Sequence, residues 1–473
     1  MRKTLRRSCD ACAKSKLSCD LRTPKCSRCT KKNTACVYAN EPLTSSPTDG
    51  FTAFLSPSAE KNSPNNLTLV KTNPLRNGFI SQTFDPFESY PQTRLPRAHV
   101  QRLIQHFLSS IAFQYYPLDL NTTSNPFVVS WWPLALADPA LFHVSLQTAS
   151  WDVDRHAQNG FRNSEILMAD SVSLLRLRIE DPQLASQDET MNSVVTLAAI
   201  EYGKGNTAVG KMHIEGVKRM VRLRGGIGHV KLTSPLTARM VSWVSMIVMQ
   251  SPQFPIQDHF GDGEGISPIP QWHQAKPRDR DPITSPLDNF SLDPAISDTF
   301  FRLHSLLHDP QLFAMSSTDL HDLACFVLHK LLSEPIQPEN LDEYPPSATS
   351  ECLRYAMVLY VLIIHGPAYY SHSELQYNTT MRLKLHLGEY FALLQPEHGQ
   401  LTLWLLSIGA VASENTNNSE WYMTQARRTA IALHASTWED IKNHLQKVLW
   451  FDIPHAEYDF QRRWTEIFKI TPG

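Results

Sequence analysis

The stretch SCDACAKSKLSCDLRTPKCSRCTKKNTACVY, residues 8–38, holds six of the eight cysteines of this 473-residue chain. Their spacing is Cys9-x2-Cys12-x6-Cys19, then six residues, then Cys26-x2-Cys29-x6-Cys36, so one eleven-residue pattern occurs twice. Each half offers three thiols, whereas structural zinc takes four ligands in a tetrahedron. Two ions need eight ligand positions, and six cysteines fill eight only when two of them bridge both metals. The repeat implies a local two-fold, under which the bridging pair is one equivalent residue from each half. Each Cys-x2-Cys pair is expected to grip metal from a tight turn, with a short helix between it and the third cysteine. A classical Cys/His finger needs histidine, and the first histidine is His99. Ferredoxin clusters use other spacings, and a redox Cys-x2-Cys leaves the repetition unexplained. Some thirty residues bury too little apolar surface to fold alone, so metal is expected to organise this head.

Charge points the same way. Residues 1–40 carry eleven Lys and Arg against two acids, a charge of plus nine. With minus two for the whole chain, the remaining residues carry minus eleven. Clustered positive charge repels itself unless a polyanion relieves it, and nucleic acid is the leading candidate. A membrane fits poorly, because the longest apolar run, residues 356–364, is about half of the ~18 residues that a spanning helix needs. No apolar segment follows the first basic residues as a secretory signal requires. A reducing, intracellular setting is therefore expected, in which clustered cysteines serve as metal ligands rather than disulfides.

Over residues 9–36 the cysteine spacing, the lysine before the third cysteine, Pro24 in the central loop and the basic second half resemble the binuclear zinc cluster DNA-binding domain of fungal transcription factors. The resemblance implies two zinc ions per chain, with the first and fourth cysteines bridging. One ion would then sit among Cys9, Cys12, Cys19 and Cys26, the other among Cys26, Cys29, Cys36 and Cys9. It also implies double-stranded DNA as partner, a nuclear location, and regulation of RNA polymerase II transcription. The position of Lys16 would contact guanines of a CGG-like triplet in the major groove, where N7 and O6 are adjacent acceptors. Lys14, Lys25, Arg28, Lys31 and Lys32 are expected to meet phosphates and so set register. Ala13, Ser15 and Ser18 stand where the family is often basic, which implies fewer phosphate contacts. The isomer of Pro24 is open from sequence.

Residues 41–92 are rich in Pro, Ser, Thr and Asn, and show no helical or strand period. They are expected to be a disordered linker in which the prolines forbid the long helix of a coiled coil. From about residue 93 the period turns helical, with Val100, Leu103, Ile104, Phe107, Leu108 and Ile111 following the i, i+3, i+4, i+7 rule. Further helices are expected near 139–151, 164–179, 189–202, 208–224 (stopped by Gly225 and Gly226) and 236–250. After a Pro- and Gly-rich loop over 251–294, they resume near 323–332, 353–364, 401–411, 419–434 and 438–449. The segments NPFVVSWWPLALADPALFHVSLQTAS and AVGKMHIEGVKRMVRLRGGI resemble the helical regulatory domain behind zinc clusters in fungal regulators. The expected fold class is all-α: a zinc cluster over 1–40, a linker over 41–92 and a helical body over 93–473. Pairing, either as a homodimer or with a partner regulator, would then run through that body.

An enzyme reading finds little purchase. GNTAVGKM, residues 205–212, fits seven positions of a phosphate-binding loop but has Met212 where a magnesium-holding hydroxyl belongs, and a helical pattern precedes it. DHFGDGEG, residues 258–265, resembles a calcium loop except that Phe260 takes a ligand position. Cys325 and Cys352 are expected as small buried hydrophobes, and His365 as a helix-end residue. The reading is a sequence-specific DNA-binding regulator without catalytic residues. The alternative is a zinc-cluster protein whose body chiefly binds an effector or partner while the head adds weak DNA affinity.

Overall fold

The computed structural model describes residues 9–20, 25–36, 90–157, 161–259, 261, 263–275, 290, 292–308, 315–333, 347–392 and 398–469. Most of the expected linker, the basic residues Arg2, Lys3, Arg6 and Arg7, and Pro24 and Phe260 lie outside them. The chain divides into two compact units, residues 1–72 and 73–473.

In the first unit α1 (Asp10–Lys14) and α2 (Ser27–Lys31) have Cys9 and Cys26 as their N-caps. The expected helix between Cys12 and Cys19 is thus corrected. The helix starts earlier and runs through Cys-x2-Cys, because an N-cap and the residue three positions on share one helical face. The two halves repeat with an offset of 17 residues. Ala13 N bonds Cys9 O as Thr30 N bonds Cys26 O, and Leu17 N bonds Cys12 O as Thr34 N bonds Cys29 O. Lys16 and Asn33, equivalent under that offset, both take positive φ, 53° and 44°.

The second unit is helical, with no strand among the described residues and one parallel bridge, Ile256 to Ile266. Its first half comprises α3 (Arg97–His106), α4 (Ala112–Tyr115), α5 (Trp132–Ala137), α6 (Pro139–Ala157), α7 (Arg162–Glu180), α8 (Asp188–Gly203), α9 (Thr207–Leu223), α10 (Ile227–Thr233) and α11 (Pro235–Met249). Its second half comprises α12 (Pro270–Gln274), α13 (Pro294–His308), α14 (Ser317–Leu332), α15 (Ala348–His365), α16 (Ser373–Phe391), α17 (Gly399–Ala412), α18 (Ser419–Ala432), α19 (Trp438–Gln446) and α20 (Pro454–Lys469).

Helices buried on every side occupy the centre. All of Thr190–Glu201 in α8 and Leu401–Ala412 in α17 is buried, as is nearly all of α15. Amphipathic helices such as α9, α19 and α20 cover them with one face. Ser316 with Asp319 and Thr437 with Asp440 close reciprocal capping boxes on α14 and α19, each cap contributing about 1 kcal/mol. Gly226 ends the α9 corner at φ 96°, and a Cβ there would lie 2.5 Å from Glu264 O, so the turn admits no side chain.

The helical period around 100–111 is not uniform. After α3 the chain widens into a π turn, Phe107–Ile111, and a second π turn, Phe127–Trp131, precedes α5. The wider turn keeps Phe107 and Ile111 both buried while Leu108 is half-buried. The 251–294 loop contains α12 and gives way to α13 at Pro294.

Two clusters tie the halves together. Arg239 on α11 donates two hydrogen bonds to the Asp322 carboxylate on α14, at 2.8 and 2.9 Å, and Lys231 approaches the same group at 3.3 Å. Beside them the rings of His321 and His365 meet, Nδ1 to Nε2, at 3.1 Å, and Trp243 stacks on His365 with centroids 3.9 Å apart. Both histidines are buried. Burial, aided by the Arg239 and Lys231 cations, pushes His321 down to about 3, and burial next to His321 and His372 holds His365 well below its ordinary value. Below pH 6.5 the unfolded chain therefore binds protons that the folded one refuses, so stability falls as pH falls. The expected slope is about 1.4 kcal/mol per pH unit for each histidine. Denaturation midpoints measured from pH 7 to 5 check this. Midpoints that do not move, or a slope unchanged in His321→Gln, would refute the neutral pair.

Candidate metal centre

The N-cap positions aim Cys9 and Cys26 inward, and the first helical turn brings Cys12 and Cys29 beside them; all four are buried. Cys19 and Cys36 lie in the irregular segments that follow each helix, half-buried. The six sulfurs form two sets of four, Cys9, Cys12, Cys19, Cys26 and Cys9, Cys26, Cys29, Cys36, with Sγ atoms within 4.8 Å of one another in each. Cys9 and Cys26 belong to both sets.

The distances test whether metal fits. A tetrahedral site with Zn–S near 2.3 Å has sulfur–sulfur edges of about 3.8 Å. The Sγ separations are 3.9 Å for Cys9–Cys26, 3.7 Å for Cys9–Cys29 and 3.7 Å for Cys12–Cys26. A disulfide would need about 2.05 Å, and none joins any of the six. The donor set therefore suits two divalent ions that accept thiolate.

Backbone donors prepare some of these sulfurs for charge. The Cys29 N–H donates to Cys26 Sγ at 3.4 Å and holds that thiol below its ordinary value. Burial works most strongly on Cys36, to raise it, but the Cys26 N–H donating at 3.3 Å and the neighbouring thiols of Cys9, Cys26 and Cys29 together hold it below its ordinary value. Burial pushes Cys9 up, and Cys12 to about 11. Closing the box without metal thus leaves protons on part of it, and a divalent ion must displace them.

Around the box the surface is basic. Lys14 ends α1, Lys16 lies two residues beyond it, and both are exposed. Lys25, Lys31 and Lys32 are exposed and Arg28 is half-buried. Asp20 counts in the sequence only as one of the head's two acids, yet its carboxylate accepts from the Ser27 N–H at 3.1 Å and so caps the start of α2. A lone acid directly after the third cysteine was the available signal.

The rival sites separate. Residues 205–212 form no phosphate loop: a helix precedes Gly205, and Lys211 is exposed on α9. Phe260 and Asp262 of the acidic loop lie outside the described residues. Cys325 and Cys352 are buried in α14 and α15, where burial pushes the Cys325 thiol up to about 12. His365 is the last residue of α15. No helix among the described residues is long and apolar enough to cross a membrane.

Comparison with known families decides the matter. Residues 7–45 match the fungal Zn(2)-Cys(6) binuclear cluster domain. The chain carries a zinc-cluster domain. Residues 102–253 of this zinc-cluster protein match the fungal specific transcription factor domain. The second match is to a transcription factor domain of fungi, and the zinc cluster binds two zinc ions. Neither matched family is an enzyme family. No curated protein and no solved structure matches the chain.

Proposed function

We propose that this regulator works in the nucleus by binding double-stranded DNA through residues 1–40, joined by residues 41–92 to a regulatory body over 93–473. Cys9 and Cys26 bridge two zincs, completed by Cys12 and Cys19 on one side and Cys29 and Cys36 on the other. Lys16 reads the guanine edges of a CGG-like triplet in the major groove, while Lys14, Lys25, Arg28, Lys31 and Lys32 hold phosphates. One observation carries the reading: two sulfur tetrads share a pair of residues beneath a surface of exposed lysines, while Asp20 is engaged with Ser27 N. When bound, the zincs supply the charge and the fixed geometry that hold the two halves together. One head reads too short a site to find an address among on the order of 10⁶ competitors, so the body supplies a second copy or partner.

The test separates base contacts from phosphate contacts. Lys16→Ala is expected to cost about 1–3 kcal/mol on the preferred site and little on scrambled DNA. Lys31→Ala is expected to weaken both alike and to lower the salt slope by roughly 0.9. Binding isotherms at several salt concentrations measure both. A wild-type preference ratio in Lys16→Ala would sink the assignment of Lys16.

A further inference from the structure

One hydrogen bond breaks the repeat of the head. At the start of α2 the Cys26 N–H donates to Cys36 Sγ at 3.3 Å and the Cys29 N–H to Cys26 Sγ at 3.4 Å, both within the second half. The Ser27 N–H, between them in sequence, donates instead to the Asp20 carboxylate, at 3.1 Å to Oδ1 and 3.4 Å to Oδ2. Asp20 directly follows Cys19, the last sulfur of the first half. The bond therefore ties the place where one half ends to the place where the helix of the other begins. Under the 17-residue offset Asp20 corresponds to Val37 and Ser27 to Asp10. Valine has no side-chain acceptor, so this tie has no counterpart in the other direction.

A negative charge at this place runs against the task of the head. Asp10 and Asp20 are the two acids among eleven cations in residues 1–40, and Asp20 is exposed. An exposed carboxylate repels phosphate, so on electrostatic grounds alone its removal tightens binding to any DNA. Its geometry argues the other way. The sulfurs of Cys9 and Cys26 belong to both tetrads and so join the two halves. A second tie, outside the sulfur box, limits how far α2 can turn against α1. α2 carries Arg28 and Lys31, while α1 carries Lys14 and leads to Lys16.

We infer that Asp20 is a positioning residue for DNA reading: by holding the Ser27 N–H it sets α2 against α1, so that phosphates gripped by the second half place Lys16 over its bases. The inference rests on the proposed reading of DNA by Lys16. The experiment measures binding of the full-length, zinc-loaded chain to a duplex carrying CGG triplets and to a scrambled duplex of the same composition. Asp20→Ala is expected to weaken binding to the CGG duplex about fivefold, the effect of losing one cap. On the scrambled duplex it should bind as well as the wild type or better. Asp20→Asn keeps an oxygen that accepts from the Ser27 N–H without the charge, and is expected to restore the wild-type preference ratio. Amide exchange at Ser27 should quicken in the alanine variant and not in the asparagine one, with two zincs per chain in both. An alanine variant that binds the CGG duplex as tightly as the wild type, or more tightly, would reveal a plain charge effect and overturn the inference. Equal losses on both duplexes, loss of zinc, or an asparagine variant as poor as the alanine one would overturn it as well. A wild type without preference for the CGG duplex would sink the Lys16 reading and this inference with it, whereas a preference that Asp20→Ala leaves intact sinks this inference alone.

Discussion

Cys9→Ser or Cys26→Ser is expected to cost the head both of its zinc ions, whereas Cys12→Ser first weakens one. The difference follows from the geometry, in which Cys9 and Cys26 belong to both sulfur tetrads and Cys12 to one. The effect should be the largest available in this chain. Apparent binding energies run about 10–16 kcal/mol per structural zinc, and a unit this small has no other core with which to replace them. Among the described residues, the buried hydrophobic cluster of the head consists of the cysteines Cys9, Cys12, Cys26 and Cys29 themselves. Zinc per chain by mass spectrometry, together with circular dichroism of the purified protein, measures the outcome. Equal metal loss in Cys9→Ser and Cys12→Ser, or one zinc per wild-type chain with all thiols reduced, would refute the shared arrangement.

Asp322→Ala should destabilise the body by about 3–5 kcal/mol, the usual effect of leaving a buried charge without its partner. Arg239 and Lys231 both depend on that one carboxylate, and Arg239 is only 14% exposed. The pair bridges α11 to α14 across 83 residues of sequence. Arg239→Met combined with Asp322→Leu is expected to recover part of the loss, because apolar replacements remove the desolvation cost along with the attraction. Urea unfolding of the two variants and the wild type decides the matter. A loss below about 1 kcal/mol in Asp322→Ala would show that the pair contributes no more than an exposed one.

The metal chemistry was open to reading because it lies in residue type and spacing over thirty residues, where the donors cannot be far apart. Helix placement was less legible. The spacing of cysteines suggested a helix after Cys12, whereas an N-cap at Cys9 starts it earlier, and sequence does not say which cysteine caps. In the body, apolar helices such as α15 and α17 announced themselves by composition. α16 did not, because Thr379 and Thr380 occupy inward positions and interrupt the apolar pattern. α20 was missed since charge dilutes its stripe of Ala456, Phe460, Trp464 and Ile467, among which Arg463 is also buried. The Asp322 cluster and the His321–His365 pair join residues dozens of positions apart, and no local period encodes such meetings.

The two halves of the head share the backbone hydrogen bonds of one scaffold and differ in what they show to the outside. Where one half presents Lys16 in a left-handed backbone conformation, the other presents Asn33 in the same one. Asparagine takes that conformation readily, while lysine gives up roughly 1–2 kcal/mol to sit there. The duplicated frame is thus indifferent to its lettering: one end carries a long cation against the preference of its own backbone, and the other carries the residue that the bend prefers. On the proposed role of Lys16, a new address could be written at either end without disturbing the sulfurs, since the bend and the sulfurs are separate parts of the same seventeen-residue unit.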